Sequence, residues 1–145
     1  MSWSLYLNRT KTNTEPYDEE KDENIIPFTK DEIITTLHEI SKIIDVHIED
    51  TESKFVQVYS EKWRIEICFW EQLLYSEKDM TYCTIELQVW GNTEPKEFLS
   101  LLVEKLRARL FDMKAGTFWT VDGSGFSDWK SFCNRIAKEL FGQNG

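Results

Sequence analysis

Two stretches of strict alternation constrain this chain more than anything else in it. Trp63, Ile65, Ile67 and Phe69 alternate with Arg64, Glu66, Cys68 and Trp70. Cys83, Ile85, Leu87 and Val89 alternate with Tyr82, Thr84, Glu86, Gln88 and Trp90. Successive side chains of a strand point to opposite faces, so the pattern predicts an antiparallel pair with one buried and one polar face. Both segments are long, which places them at the centre of a sheet. The connection between them, Glu71 to Asp79, is polar at its end and reads as a hairpin loop.

Other strands and helices are built around that pair. Trp3, Leu5 and Leu7 alternate with Ser4, Tyr6 and Asn8, and Phe55–Tyr59 is a short apolar run, so both read as strands. Thr29 and Glu32 form a capping box, with Phe28 placed to staple onto Ile33. The helix they start carries Ile33, Leu37, Ile40 and Ile44 on one stripe and fades near Asp45. Gly91 breaks the strand before it, Thr93 can cap and Pro95 suits a first turn. A second helix follows with Phe98, Leu99, Leu102, Leu106 and Leu110, carries Lys105, Arg107 and Arg109 near its end, and stops at Lys114-Ala-Gly116. Thr117–Val121 reads as a strand, Asp122–Gly125 as a turn, and Ser127 as the cap of a last helix with Trp129, Phe132, Cys133, Ile136 and Leu140 on its stripe. Gly142 ends that helix. The expected order is β-α-β-β-β-α-β-α, in one α+β domain over 1–145. It is a two-layer sandwich of about five mostly antiparallel strands with amphipathic helices packed on them.

Charge narrows the function classes. The chain has 26 acidic and 17 basic residues, a net of -9, yet 14% of it is aromatic, including 6 Trp. Disordered acidic chains lack aromatics, so this one folds. Its acidity excludes phosphate-rich partners, nucleic acid and anionic membrane alike, and favours a basic protein. The field is uneven: residues 1–95 hold 20 acids and 9 bases, a net of -11, and residues 96–145 hold 6 acids and 8 bases, a net of +2. Much of the acidity lies in Arg9 to Asn24, with Asp18, Glu19, Glu20 and Asp22, which reads as a mobile loop able to steer a cationic partner. Solubility alone is the competing explanation. Three widely spaced cysteines, Cys68, Cys83 and Cys133, suggest reduced thiols in the cytoplasm. The start, Met1-Ser-Trp-Ser-Leu-Tyr-Leu-Asn, has no cationic segment and too short an apolar run for a signal peptide, and no stretch suffices to span a bilayer.

Catalytic and metal motifs do not emerge. His38 and His47 stand nine apart, wider than zinc ligands usually do, so no metal or cofactor is expected. A Cys–His dyad needs an electropositive thiol. Cys83 and Cys133 fall on stripes expected to be buried, and Cys68 has Glu66 and Glu71 nearby. Gly123-Ser-Gly125 lacks the lysine of a phosphate loop and reads as a turn. Glu49-Asp-Thr-Glu52 and Asp18-Glu-Glu20 read as loop carboxylates, without the glycine-centred spacing of a calcium loop. What remains is the polar face of the central pair. Arg64, Glu66, Trp70, Tyr82, Thr84, Glu86, Gln88 and Trp90 share it, with Arg64 opposite Glu86 in one register. Aromatics among charges suit a binding hot spot; a core covered by helices on both faces is the alternative.

The aromatic first strand Trp3-Ser-Leu-Tyr-Leu7, the strand end Trp90-Gly91, and Leu110-Phe-Asp112 ahead of Gly116-Thr-Phe118 carry a resemblance in build. With them the chain resembles small bacterial immunity-type proteins, which neutralise a cognate secreted toxin. The resemblance implies a class of function and no particular residue. The expectation is therefore a non-enzymatic binding protein, monomer or weak dimer, that blocks a basic toxin. Its partner-binding residues would be Asp18, Glu19, Glu20 and Asp22 in the loop and Glu66, Trp70, Glu86, Gln88 and Trp90 on the sheet. A small-ligand or enzymatic domain with a pocket near Cys68 or His38 is the alternative, and self-association through a strand edge a third.

Overall fold

The computed structural model describes residues 1–50, 55–70 and 80–142. In chain order its elements are β1 (Trp3–Asn8), α1 (Lys30–Ser41), β2 (His47–Asp50), β3 (Phe55–Tyr59), β4 (Trp63–Cys68), β5 (Ile85–Gly91), α2 (Lys96–Leu106), β6 (Arg109–Asp112), β7 (Thr117–Phe118) and α3 (Gly125–Phe141). The fold is α+β, with one sheet of seven strands in the order β2-β3-β4-β5-β1-β6-β7. Neighbouring strands are antiparallel throughout.

Register turns the alternation of each strand into a common face. Trp3, Leu5 and Leu7 of β1 lie opposite Val89, Leu87 and Ile85 of β5. Val89 and Leu87 lie opposite Ile65 and Ile67 of β4, which in turn face Val58 and Val56 of β3. All of these side chains are buried, together with Ile33, Leu37 and Ile40 of α1 and Phe98, Leu99, Leu102 and Leu106 of α2. Burying a side chain of this size stabilises by about 1.5–3 kcal/mol, so the two apolar helix stripes are the reason this face is covered. Trp63 leans to the same side and packs its ring 5.4 Å from that of Phe98.

The capping signals of α1 act as expected in part. The Thr29 hydroxyl accepts a hydrogen bond from the Glu32 amide at 3.1 Å. The Glu32 carboxylate does not close the box; it accepts from both terminal nitrogens of Arg9, at 2.7 and 2.9 Å. α1 ends at Ser41, before Asp45, while Ile44 still packs on the core from the turn beyond. Gly142 does cap α3 in the left-handed conformation.

Several boundaries differ from the sequence expectation. Among the described residues the sheet has seven strands rather than about five, the additions being β2 and β6. β6 was hidden in the second helix: Leu110 lies four residues after Leu106 and continues its stripe. Instead Arg107 turns left-handed at φ 51° and closes α2. The chain then re-enters as a strand, with Leu110 opposite Leu7. Lys114-Ala-Gly116 is therefore the turn of the β6–β7 hairpin, and the strand expected over Thr117–Val121 covers only Thr117–Phe118. Pro95 stands at the N-cap of α2, where no side chain caps the helix, so Thr93 does not serve there. α3 begins after Ser124 rather than Ser127, whose hydroxyl donates to the Ser124 carbonyl at 3.0 Å. β5 starts at Ile85; Tyr82 is buried in a bridge to Phe28 and Cys83 is exposed, the reverse of their expected faces. The expected hairpin loop 71–79 lies outside the described residues.

One buried polar contact joins the two ends of the chain. The Trp3 indole donates to Asp112 Oδ2 at 3.0 Å, while Asp112 Oδ1 accepts from the amides of Lys114 and Ala115 at 3.1 and 3.2 Å. α3 starts against this pair: a Cβ on Gly125 would stand 2.5 Å from Asp112 Oδ2, so only glycine fits. Replacing Asp112 with Ala leaves the buried Trp3 indole without its acceptor, at about 1–3 kcal/mol for an unsatisfied buried group, and also removes the acceptor of two turn amides. Urea unfolding of Asp112→Ala is expected to show a loss of about 2–4 kcal/mol. An unchanged midpoint would mean that the contact contributes nothing.

Candidate protein-binding interface

The side of the sheet away from α1 and α2 is assembled from the residues between the buried ones. It carries Ser4, Tyr6 and Asn8 of β1, Glu86, Gln88 and Trp90 of β5, Arg64, Glu66 and Cys68 of β4, and Phe55, Gln57 and Tyr59 of β3. Most of these side chains are half-buried, as expected for a sheet face turned away from the main helices, while Asn8 and Cys68 are fully buried.

Its centre is acidic. In register, Glu66 faces Gln88, Cys68 faces Glu86 and Arg64 faces Trp90. The expected Arg64–Glu86 pairing is thus displaced by four residues. Arg64 instead lays its guanidinium over the Trp90 ring, 4.4 Å from the centroid. Glu86 is held by neutral donors: the Tyr6 hydroxyl donates to Oε2 at 2.9 Å and the Gln88 amide to Oε1 at 2.6 Å. Neither Glu66 nor Glu86 forms an ion pair among the described residues, so their charge stands uncompensated. The neighbouring acids register this field. Burial, with Glu86 adding to it, pushes the Tyr6 hydroxyl up to about 12. Burial together with Glu66 and Glu86 pushes the Cys68 thiol up to about 12. A thiol so held is protonated at neutral pH and is no nucleophile.

The acidic segment after β1 does not hang free. Its ends are zipped by backbone hydrogen bonds from Lys11 to Asn24 and from Ile26 to Arg9, both 2.9 Å. Between them it forms two single 3-10 turns, Tyr17–Glu19 and Asp22–Asn24. Tyr17 stacks on Phe111 with ring centroids 4.1 Å apart and planes 11° from parallel. Arg109 donates to Glu20 at 3.0 Å and to the Glu15 carbonyl at 2.8 Å, and lies over the Phe118 ring at 3.8 Å. Asn8 also donates to Glu20, and the Thr10 hydroxyl donates to Glu15, whose carboxyl is held below its ordinary range chiefly by that bond. Phe111 and Arg109 face Tyr6 and Asn8 across β1 and β6, so the segment is a strap across the β1–β6–β7 part of the same sheet face. These contacts seat on the sheet a segment that the sequence reads as a mobile loop.

The residues singled out from the sequence fall into three groups. Glu66, Glu86, Gln88 and Trp90 come together on β4 and β5. Trp70, just past β4, is 50% exposed and meets Phe55 edge-on with centroids 5.8 Å apart. On the strap, Asp18, Glu19 and Asp22 are exposed, whereas Glu20 is turned inward onto Arg109 and Asn8. Sequence reasoning missed Tyr6, Phe111 and Arg109. Tyr6 was readable from its place between Leu5 and Leu7; the other two were hidden with β6 in the expected helix.

Rival chemistries find little to build on. His38 is exposed on α1 and His47 on β2. Among the described residues there is no group of three or more potential metal ligands. A cleft of about 230 Å³ opens at the start of α3, lined by Asp112, Phe118, Trp119 and Gly123 to Gly125 among others. It is smaller than the roughly 300–1,000 Å³ usual for ligand pockets. Its carboxylate also disfavours the phosphate that Gly123-Ser-Gly125 suggested. No described helix is long and apolar enough to cross a membrane. Comparison of the chain with protein-family models, with curated proteins and with solved structures gave no match.

Two expectations test this geometry. Iodoacetamide applied to the native protein at about pH 8 should label exposed Cys83 and spare Cys68, read by peptide mass spectrometry. Equal labelling would show that the face around Cys68 opens. Replacing Tyr17 with Ala removes an aromatic pair, so the variant should lose about 1 kcal/mol. Amide exchange should then rise over residues 10–25 and leave β4 and β5 unchanged.

Proposed function

We propose that this is a non-enzymatic binding protein of the immunity type, which neutralises a cognate basic toxin by docking it on the sheet face opposite α1 and α2. The observation that carries the reading is the pair Glu66 and Glu86, half-buried and without an ion-pair partner among the described residues, beside Trp90 on the face opposite α1 and α2. Carboxylates held only by neutral donors gain most when a cation arrives and excludes water. Trp90, Tyr59, Phe55 and exposed Trp70 supply the large rigid contact area typical of hot spots. Asp18, Glu19 and Asp22 on the strap extend the negative field beside it and would speed the encounter. A cytoplasmic site of action belongs to the proposal, since three unpaired cysteines suit a reducing compartment.

Pairing through strand edges has less support as the mode of action. β7 has two residues, and β2 has four, of which His47, Glu49 and Asp50 are exposed. Short charged edges resist templating another strand.

The test is a charge reversal with an internal control. Capture from the source organism's lysate at low and high salt supplies the partner. Stopped-flow association then compares the wild type, Glu66→Lys/Glu86→Lys, the milder Glu66→Gln/Glu86→Gln, and Glu97→Lys/Glu104→Lys on the exposed side of α2. The first variant is expected to associate about tenfold or more slowly, with a flatter salt dependence, the glutamine pair to fall between, and the α2 variant to match the wild type. Equal rates for all four, with folding verified by circular dichroism, would sink the sheet face as the docking site.

A further inference from the structure

α3 is packed at one end and open at the other. Phe126 and Trp129 in its first turns are buried, with Phe126 edge-on to Trp3 at 5.4 Å. Phe132, Cys133, Ile136 and Ala137 are only half-buried. Leu140 on the same stripe is 69% exposed, and Phe141 beside it 72%. Met1, 68% exposed, reaches this stripe with its sulfur 3.7 Å from Cys133 Sγ. The apolar stripe therefore runs beyond the body that buries its beginning.

We propose that the C-terminal half of α3 is a docking surface for a second copy of this chain, with the two helices antiparallel. The charges beside the stripe carry the choice of occupant. At 100° per residue Arg135 and Glu139 fall on one flank of the Ile136–Leu140 stripe, and neither has an ion-pair partner among the described residues. A two-fold axis at the level of Ala137 sets position 135 of one helix across from position 139 of the other. Arg135 then meets Glu139 of the second copy, and the same pair forms again on applying the symmetry. Ala137 at the crossing is small and lets the helices approach. Leu140 inserts between Cys133 and Ala137 of the opposite helix, which also shelters Ile136. A basic partner suits this helix poorly, because Lys130, Arg135 and Lys138 outnumber its acids Asp128 and Glu139 and Lys114 sits over the Phe132 ring at 3.4 Å. The dimer surface is thus separate from the acidic sheet face, and the two can be occupied at once.

Sedimentation velocity from micromolar to millimolar protein tests this. The wild type is expected to show a concentration-dependent monomer–dimer equilibrium. Leu140→Asp changes an exposed residue and should weaken the dimer more than about tenfold while the far-ultraviolet spectrum stays the same. Arg135→Glu and Glu139→Arg should each weaken it, and the double variant Arg135→Glu/Glu139→Arg should restore it, because only an antiparallel pair exchanges those two charges. A concentration-independent monomer overturns the proposal. So does a dimer that survives Leu140→Asp, or one that fails in Glu66→Lys/Glu86→Lys, which would assign the contact to the acidic face. A wild-type monomer whose captured basic partner is lost in Leu140→Asp gives the stripe to that partner and overturns it as well.

Discussion

The position of β1 between β5 and β6 is the constraint on which the rest of this structure depends. The first strand of the chain joins two parts that share no direct ladder: β2 to β5 on one side and the β6–β7 hairpin on the other. Without it the hairpin has no sheet to join, and α3, which starts against Trp3 and Asp112, has nothing to stand on. The Trp3–Asp112 bond spans 109 residues and locks the arrangement at its buried end. Contacts of such separation close large loops before they stabilise anything, so the sheet is complete only once both ends of the chain have met.

The same arrangement creates two chemically unlike sides. With α1, α2 and the start of α3 all gathered on one face, the apolar half of every strand is accounted for there. The other half is left to polar and aromatic residues, and β1 again decides their grouping. Tyr6 lies opposite Glu86 on one side and Phe111 on the other, linking the acidic centre to the aromatic seat of the strap. Arg109 then ties Glu15 and Glu20 down onto that seat. The acidic segment spends two of its carboxylates on its own anchoring and keeps Asp18, Glu19 and Asp22 outward.

Much of the fold was legible from periodicity. The alternation in β1, β4 and β5 assigned faces correctly wherever regular strand continued, and Glu66, Glu86, Gln88 and Trp90 were grouped on that ground alone. It failed at Tyr82 and Cys83, where the chain is still outside the ladder and Tyr82 is drawn inward by its bridge to Phe28. Register was beyond reach for a related reason: strands sliding by any even number of residues keep every face, so Arg64 opposite Trp90 and, four residues away, Arg64 opposite Glu86 fit the sequence equally well.

What the sequence by itself determined is the local grammar: which segments alternate, where Thr29 and Gly142 cap, and how much charge of each sign there is. These depend on residues within a turn or two of each other, where sterics and burial leave one good solution. The tertiary structure alone decided between solutions that are locally equal. Leu110 continues the stripe of α2 and also completes the alternation with Asp112, and the vacant edge of β1 settled the matter in favour of a strand. The acidic segment from Arg9 to Asn24 has no periodicity to bury, and its order comes from Arg109 and Phe111, about a hundred residues away along the chain. No window of adjacent residues contains that information, because the groups that hold the strap become neighbours only after the sheet has formed.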